Sequence, residues 1–271
     1  MSNGMNRRDA LRLAGLSAGA LFAGGSLNAF AAEKAASGET WKYAVVDPKK
    51  VADTAYESYA VGRCMYATFY GIVYNVGLAL EKTDPLAAAP ILQFPYYMMK
   101  YGTGGGNDWG SLCGSLNGAM AAISLFVADS KKRKALCDEI ANYYEQTMFP
   151  IYKPANDDFG PMPQTISGSI LCHVSSGKWA SLAQKRTDSP ERSERCTRMS
   201  ADVARKTAEL LNLNIGTPAA LESAPVVALK RQEPSATCGS CHEKGKKNSD
   251  VIAKMSCNEC HEQAVDHSEK K

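Results

Sequence analysis

Two pentapeptides near the C-terminus, Cys238-Gly239-Ser240-Cys241-His242 and Cys257-Asn258-Glu259-Cys260-His261, constrain this chain more than any other feature. They lie in a segment, 237–271, that is rich in Lys and Glu and nearly free of large apolar side chains. Such a segment cannot fold by burying surface, so a bound or cross-linking group has to organise it. Two cysteines separated by two residues reach one edge of a porphyrin as thioethers, and the histidine that follows falls under the iron. Each CxxCH run therefore reads as a covalent c-type haem site.

A rival reading exists, because fifteen residues separate Cys241 from Cys257 and CxxC pairs at that spacing also suit a zinc ribbon. The histidines decide between them. The chain has only 4 His in 271 residues, and the chance that one follows each CxxC is about 1 in 5,000 on composition alone. A zinc ion held by four thiolates has no use for them, and two plain disulfides explain them no better. With His242 and His261 as proximal ligands, His173 and His267 remain as candidate sixth ligands. Bis-histidine iron is six-coordinate and suited to electron transfer. His267 follows His261 too closely to pass round the same haem, so it is expected on the other haem or on one in a partner subunit. The 10 Met residues keep methionine ligation open.

The N-terminus is not part of the fold. Arg7-Arg8 precede an apolar, Gly- and Ala-rich run from Leu13 to about Ala23, then Ala29-Phe30-Ala31. This is the layout of an export signal, 1–31, and the paired arginines resemble the twin-arginine type, which carries proteins across already folded. The run falls short of the ~20 residues needed to span a bilayer, so the mature chain is expected in the periplasm and not embedded in the membrane. That compartment permits disulfides, yet 9 Cys is an odd number.

The body, 32–213, is expected to be mainly α. Residues 32–55 read as extended or irregular. A buried helix follows from Cys64 to Leu80, with Gly71 and Gly77 marking close helix packing. Asp84-Pro85 starts a short apolar segment. The cluster Gly102 to Gly110 needs backbone freedom and leads into a helix whose N-terminus holds Cys113, where free N–H groups favour a thiolate. Asp129-Ser130 caps a helix over 131–147. Cys172-His173 falls in a polar turn bracketed by Gly and Ser, and 191–213 is a helix with Cys196 in its first turns. Residues 214–236 form a linker or wrap over the body, and 237–271 is a small-core dihaem segment organised by covalent haems.

Five cysteines stand outside the haem motifs: Cys64, Cys113, Cys137, Cys172 and Cys196. They suit two disulfides and a free thiol, or buried small hydrophobes, or an iron-sulfur cluster, which takes four thiolates and leaves one over. Cys113, Cys172 and Cys196 sit where backbone N–H groups can face bridging sulfides. A preassembled cluster also gives a reason for folded export.

The order of body, linker and twin CxxCH tail resembles the split-Soret cytochromes c of sulfate-reducing bacteria. The body resembles the wider redox-active family patterned C_GCAxxG_C_C, onto which Cys64, Cys113 in the run Gly104 to Gly118, Cys172 and Cys196 are placed, with Cys137 outside the pattern. One departure is Cys113-Gly114-Ser115 where the family has Cys-Gly-Ala. The resemblance implies a homodimer, two bis-histidine haems per subunit stacked near the interface with a ligand crossing it, and a [2Fe-2S] centre in the body.

The expected function is electron transfer among haems, cluster and an unidentified redox protein. No Ser/His/Asp arrangement supports hydrolysis, and a net charge of +3 with scattered cations gives no nucleic-acid surface. A haem-based small-molecule reductase and a disulfide- or zinc-bearing binding module are the alternatives.

Overall fold

A computed structural model describes residues 40–230, 240–242, 246 and 254–255. The export signal, and Cys238, Cys257, Cys260, His261 and His267, lie outside the described residues. Helix α1, Pro48–Glu81, begins where Asp47 accepts a hydrogen bond from Lys49 N–H at 2.8 Å and Pro48 supplies the fixed φ of a first helical residue. It is one element in name and two arms in space. At Arg63 the backbone takes φ 65° and ψ −161°, and the chain doubles back. Asn75 Nδ2 on the second arm donates to Thr54 Oγ1 on the first at 3.0 Å, and Gly71 lies against Ala55 and the Val51 carbonyl. The expectation that 32–55 is irregular is thus corrected from Pro48 onward. The first arm buries mostly small residues, Val51, Ala52, Ala55, Ser58 and Gly62, with Tyr59 as its one large side chain, a pattern that gives a weak periodic signal.

Helix α2 (Pro85–Leu92) and a 3₁₀ turn (Tyr96–Gly102) lead through the glycine cluster into α3 (Gly114–Phe126). Helix α4 (Ser130–Gln146) starts at Asp129, whose carboxylate accepts from Lys132 N–H at 2.6 Å. Strands β1 (Met148–Phe149) and β2 (Thr165–Ile166) pair antiparallel, Met148 opposite Ile166. Helices α5 (Cys172–Ala183), α6 (Pro190–Ile215, capped by Ser189) and α7 (Pro218–Glu222) follow. The class is mainly α, as expected. Helix α5 corrects the expected turn at Cys172-His173. Its Ser- and Gly-rich sequence carries little amphipathic signal, and it is fixed by tertiary contacts of Trp179, fully buried with Nε1 donating to Pro163 O at 2.8 Å.

Helix α1 packs most heavily on α6 and then on α3. Fully buried Phe69, Ile72, Leu116, Ile123, Leu136 and Val203 form the core, each worth about 1.5–3 kcal/mol in burial. After α6 the chain crosses α4: buried Lys132 donates through Nζ to the carbonyls of Asn214, Ala220 and Leu221, and Glu139 Oε2 accepts from the N–H groups of Ala228 and Leu229. Farther on, Lys254 Nζ pairs with Asp138 of α4 at 2.5 Å. Among the described residues no helix is long and apolar enough to cross a membrane.

Asp202 of α6 is buried, accepts from Ile151 N–H at 2.7 Å, and is pushed up to about 6, chiefly by loss of hydration. A carboxyl raised in the fold contributes stability fully below its unfolded pKa and loses it as pH rises through the folded one. We expect Asp202→Asn, which keeps the acceptor, to gain on the wild type by up to about 3 kcal/mol between pH 4 and 7. Parallel unfolding curves over that range would exclude this.

Candidate metal centre

Four segments far apart in sequence meet at one cavity. Cys64 directly follows the reversal at Arg63. Cys113 is the N-cap of α3, Cys172 the first residue of α5, and Cys196 lies in the second turn of α6. Two backbone contacts set the convergence. Gly114 lets α3 approach the reversal of α1, since an added Cβ would sit 2.5 Å from Gly102 O and 3.0 Å from Met65 N. The chains before α3 and α5 run antiparallel, with Cys113 N–H donating to Ile170 O at 2.9 Å and Cys172 N–H to Ser111 O at 2.7 Å. Gly105, at φ 75°, passes so close to Cys172 that a Cβ would lie 2.7 Å from that residue's own. The loop glycines therefore serve close approach as well as left-handed backbone.

All four thiols line a cavity of about 290 Å³, together with Tyr59, Tyr144, Arg192 and Arg195. Its size is room for roughly ten waters. Cys64, Cys113 and Cys196 are buried and Cys172 is half-buried. Among the described residues all six cysteines are free, and no three or more His, Cys, Asp or Glu side chains are drawn tightly enough together to hold a metal ion. Cys137 is the fifth body cysteine and lies on α4 outside this cavity, where burial, then Asp138, pushes its thiol up to about 11.

The thiols differ in acidity. Cys113 is lowered to about 6, mainly because Cys172 hydrogen-bonds to its sulfur, with the Tyr144 hydroxyl, Ser115 N–H and the Arg195 charge acting in the same direction against burial. Cys172 is correspondingly raised by holding that proton. Cys64 is pushed up to about 12 by burial and by the nearby Cys113 and Cys196 charges. Of the two, Cys113 is the more acidic thiol, with Cys172 as the donor to its sulfur.

Arg195 is fully buried beside them. Its Nη1 is 3.9 Å from Cys196 Sγ, Nη2 donates to Ser175 Oγ at 2.9 Å, and Nε has no partner. Burial, the largest single influence, would lower this guanidinium, but Cys196, Tyr144 and Cys113 together outweigh it and the net shift is upward. The sequence reading missed Arg195 because an arginine in a helix otherwise reads as a solvated charge. Its only textual signal is adjacency to Cys196.

His173 follows Cys172 on α5 and is exposed. Its Nδ1 lies 3.1 Å from Gly110 O, a contact that assigns the N–H to Nδ1 and leaves Nε2 free as a donor to metal. On the tail, Cys241 is exposed and His242 half-buried.

A curated split-Soret cytochrome c from Desulfovibrio desulfuricans is 37% identical to this chain over 276 residues, covering 95% of this chain and 94% of the relative. The chain belongs to the split-Soret cytochrome c family. As a cytochrome c family it consists of electron carriers with covalently bound haem. A solved structure, titled "A novel iron centre in the split-Soret cytochrome c from Desulfovibrio desulfuricans ATCC 27774", superposes with a TM-score of 0.72 at 36% identity, over 83% of this chain and 91% of that one. The family described as "Putative redox-active protein (C_GCAxxG_C_C)" matches residues 87–210. That span contains Cys113, Cys137, Cys172 and Cys196 and stops short of Cys64, so within this split-Soret cytochrome fold Cys64 joins the group through the reversal of α1.

Proposed function

We propose that the chain is an exported, periplasmic dihaem cytochrome in which a [2Fe-2S] centre, held by Cys64, Cys113, Cys172 and Cys196, exchanges electrons with two haems on the C-terminal segment. The observation that carries it is the meeting of four thiols from four separate segments at one walled cavity, in a chain with two CxxCH motifs. The donor set is chemically suited to iron-sulfur: four thiols, one already acidified, and a buried cation without a carboxylate partner among the described residues. All four thiols line the one cavity, and four thiolates are the donor number an iron-sulfur core takes. The iron centre named for the relative of known structure supports the same reading. When bound, the centre supplies one-electron chemistry.

The chain's own residues do the rest. Cys238 and Cys241, and Cys257 and Cys260, attach the haems; His242 and His261 ligate them from the proximal side. His173 and His267 are the proposed sixth ligands. The ring of His173, fixed by Gly110 O, presents Nε2 outward and is one residue from Cys172, so a haem ligand and a cluster ligand are joined by a single peptide unit. The boundaries we propose are a signal at 1–31, a body at 32–213, a strap at 214–236 and a haem segment at 237–271, in a homodimer with haems near its interface and an external redox protein as partner. Iron and covalent haem per subunit of the purified mature protein test the whole reading. Four irons with two haems are expected; two irons with two haems would remove the centre, and zinc without iron would remove both.

A further inference from the structure

Two buried arginines on α6 are treated differently by the same fold. Arg198 is nearly fully buried and paired with two carboxylates, Glu194 at 2.7 Å and Asp157. Arg195, one turn earlier and more deeply buried, makes no ion pair among the described residues. Asp202, the carboxylate along α6 that senses it, faces Ile151 N–H and feels Arg205 more strongly. A guanidinium cannot shed its proton to escape burial, so an unpaired one is retained only where negative charge sits beside it. The groups beside Arg195 are Cys196, Cys113, Tyr144 and Ser175. Arg192, half-buried one turn back, lines the same cavity and faces Cys196 too.

We propose that Arg195, assisted by Arg192, is the fixed counter-charge of the four-thiol cavity and sets the redox potential of the centre held there. This rests on the iron-sulfur reading above. Four thiolates round a core of two ferric ions and two sulfides carry two net negative charges, which the two guanidinium groups balance; reduction adds one electron to the iron and leaves one negative charge in excess. No bond breaks and no proton is required. A cation buried beside the sulfur stabilises the reduced form more than the oxidised form, so it raises the potential, and the poor screening of a buried site makes its effect large. Arg195 acts through the thiolates and is a positioning residue. Its free Nε and its Nη1 contact to Cys196 are the atoms through which it acts.

The experiment is a potentiometric titration of the intact holoprotein with dithionite as electron donor, followed by paramagnetic resonance of the iron-sulfur signal and by haem absorbance. Arg195→Gln is expected to keep iron content and both haems while shifting the one-electron reduction equilibrium of the centre against reduction by about tenfold, equivalent to about 59 mV. Haem potentials are expected to move less. Arg195→Lys, which keeps the charge, is expected to return to within about threefold of wild type. An unchanged equilibrium in Arg195→Gln overturns the proposal, as does an equal fall in the Gln and Lys variants, which would assign the effect to shape. If Arg195→Gln does not fold, Arg192→Gln is read the same way, with a fall of about threefold expected and no fall overturning it. Failure of the underlying reading looks different: wild-type protein holding haem iron alone.

Discussion

Replacing Cys172 with serine is expected to lower total iron from four to two per subunit and abolish the reduced iron-sulfur signal, while both haems stay covalently attached. The backbone N–H of Cys172 is tied to Ser111 O at 2.7 Å, and its thiol lines the cavity. Main chain therefore sets where its sulfur lies. Serine keeps the main chain in place and removes the soft donor, which iron-sulfur chemistry needs. The control is Cys137→Ser. That thiol lies outside the cavity and is kept protonated by burial, so its loss is expected to leave iron content and spectrum unchanged. A full iron-sulfur signal in Cys172→Ser, or its disappearance in Cys137→Ser, would move the centre to another set of cysteines.

Losing both cysteines of a haem motif is expected to have an effect of similar size on the other half of the molecule. In the double variant Cys238→Ala/Cys241→Ala, haem staining of denatured polypeptide should fall towards half, because both thioethers to that porphyrin are gone. His242→Ala should keep the covalent haem and change its spectrum through loss of the proximal imidazole. Segment 237–271 has almost no apolar side chains, so hydrophobic burial cannot supply its order and the proposed haems are expected to. The ion pair of Lys254 with Asp138 fastens it to α4, but exposed pairs of this kind contribute only about 0–1 kcal/mol. Wild-type haem staining and spectra in both variants would refute these roles.

The legible parts of the fold were those with strong local chemistry. Asp129 capping α4, the helix expected over 191–213 that is α6, and Cys113 at the start of α3 rest on local signals, and the structure places each within a residue or two of expectation. The first arm of α1 and the whole of α5 were not legible. The former buries mostly small side chains, and the latter is a polar helix held by Trp179 and by backbone bonds to the 110–111 loop. Neither stabilising interaction is local, so neither leaves a periodic trace.

The sequence by itself determined the haem chemistry, because CxxCH is a covalent pattern complete within five residues, and it assigned the chain to a cytochrome-like organisation of body and tail. The choice of Cys64, Cys113, Cys172 and Cys196, with Cys137 set aside, came from the family resemblance and is a proposal. That these four share a cavity was decided by tertiary structure: by the reversal at Arg63, by the close approach at Gly114, and by the pairing of the chains at Cys113 and Cys172. The buried charge at Arg195 belongs to the same class. Whether an arginine on a helix faces water or thiols depends on what packs over it, and packing between residues as distant in sequence as Cys113 and Arg195 is not written in any local stretch of chain.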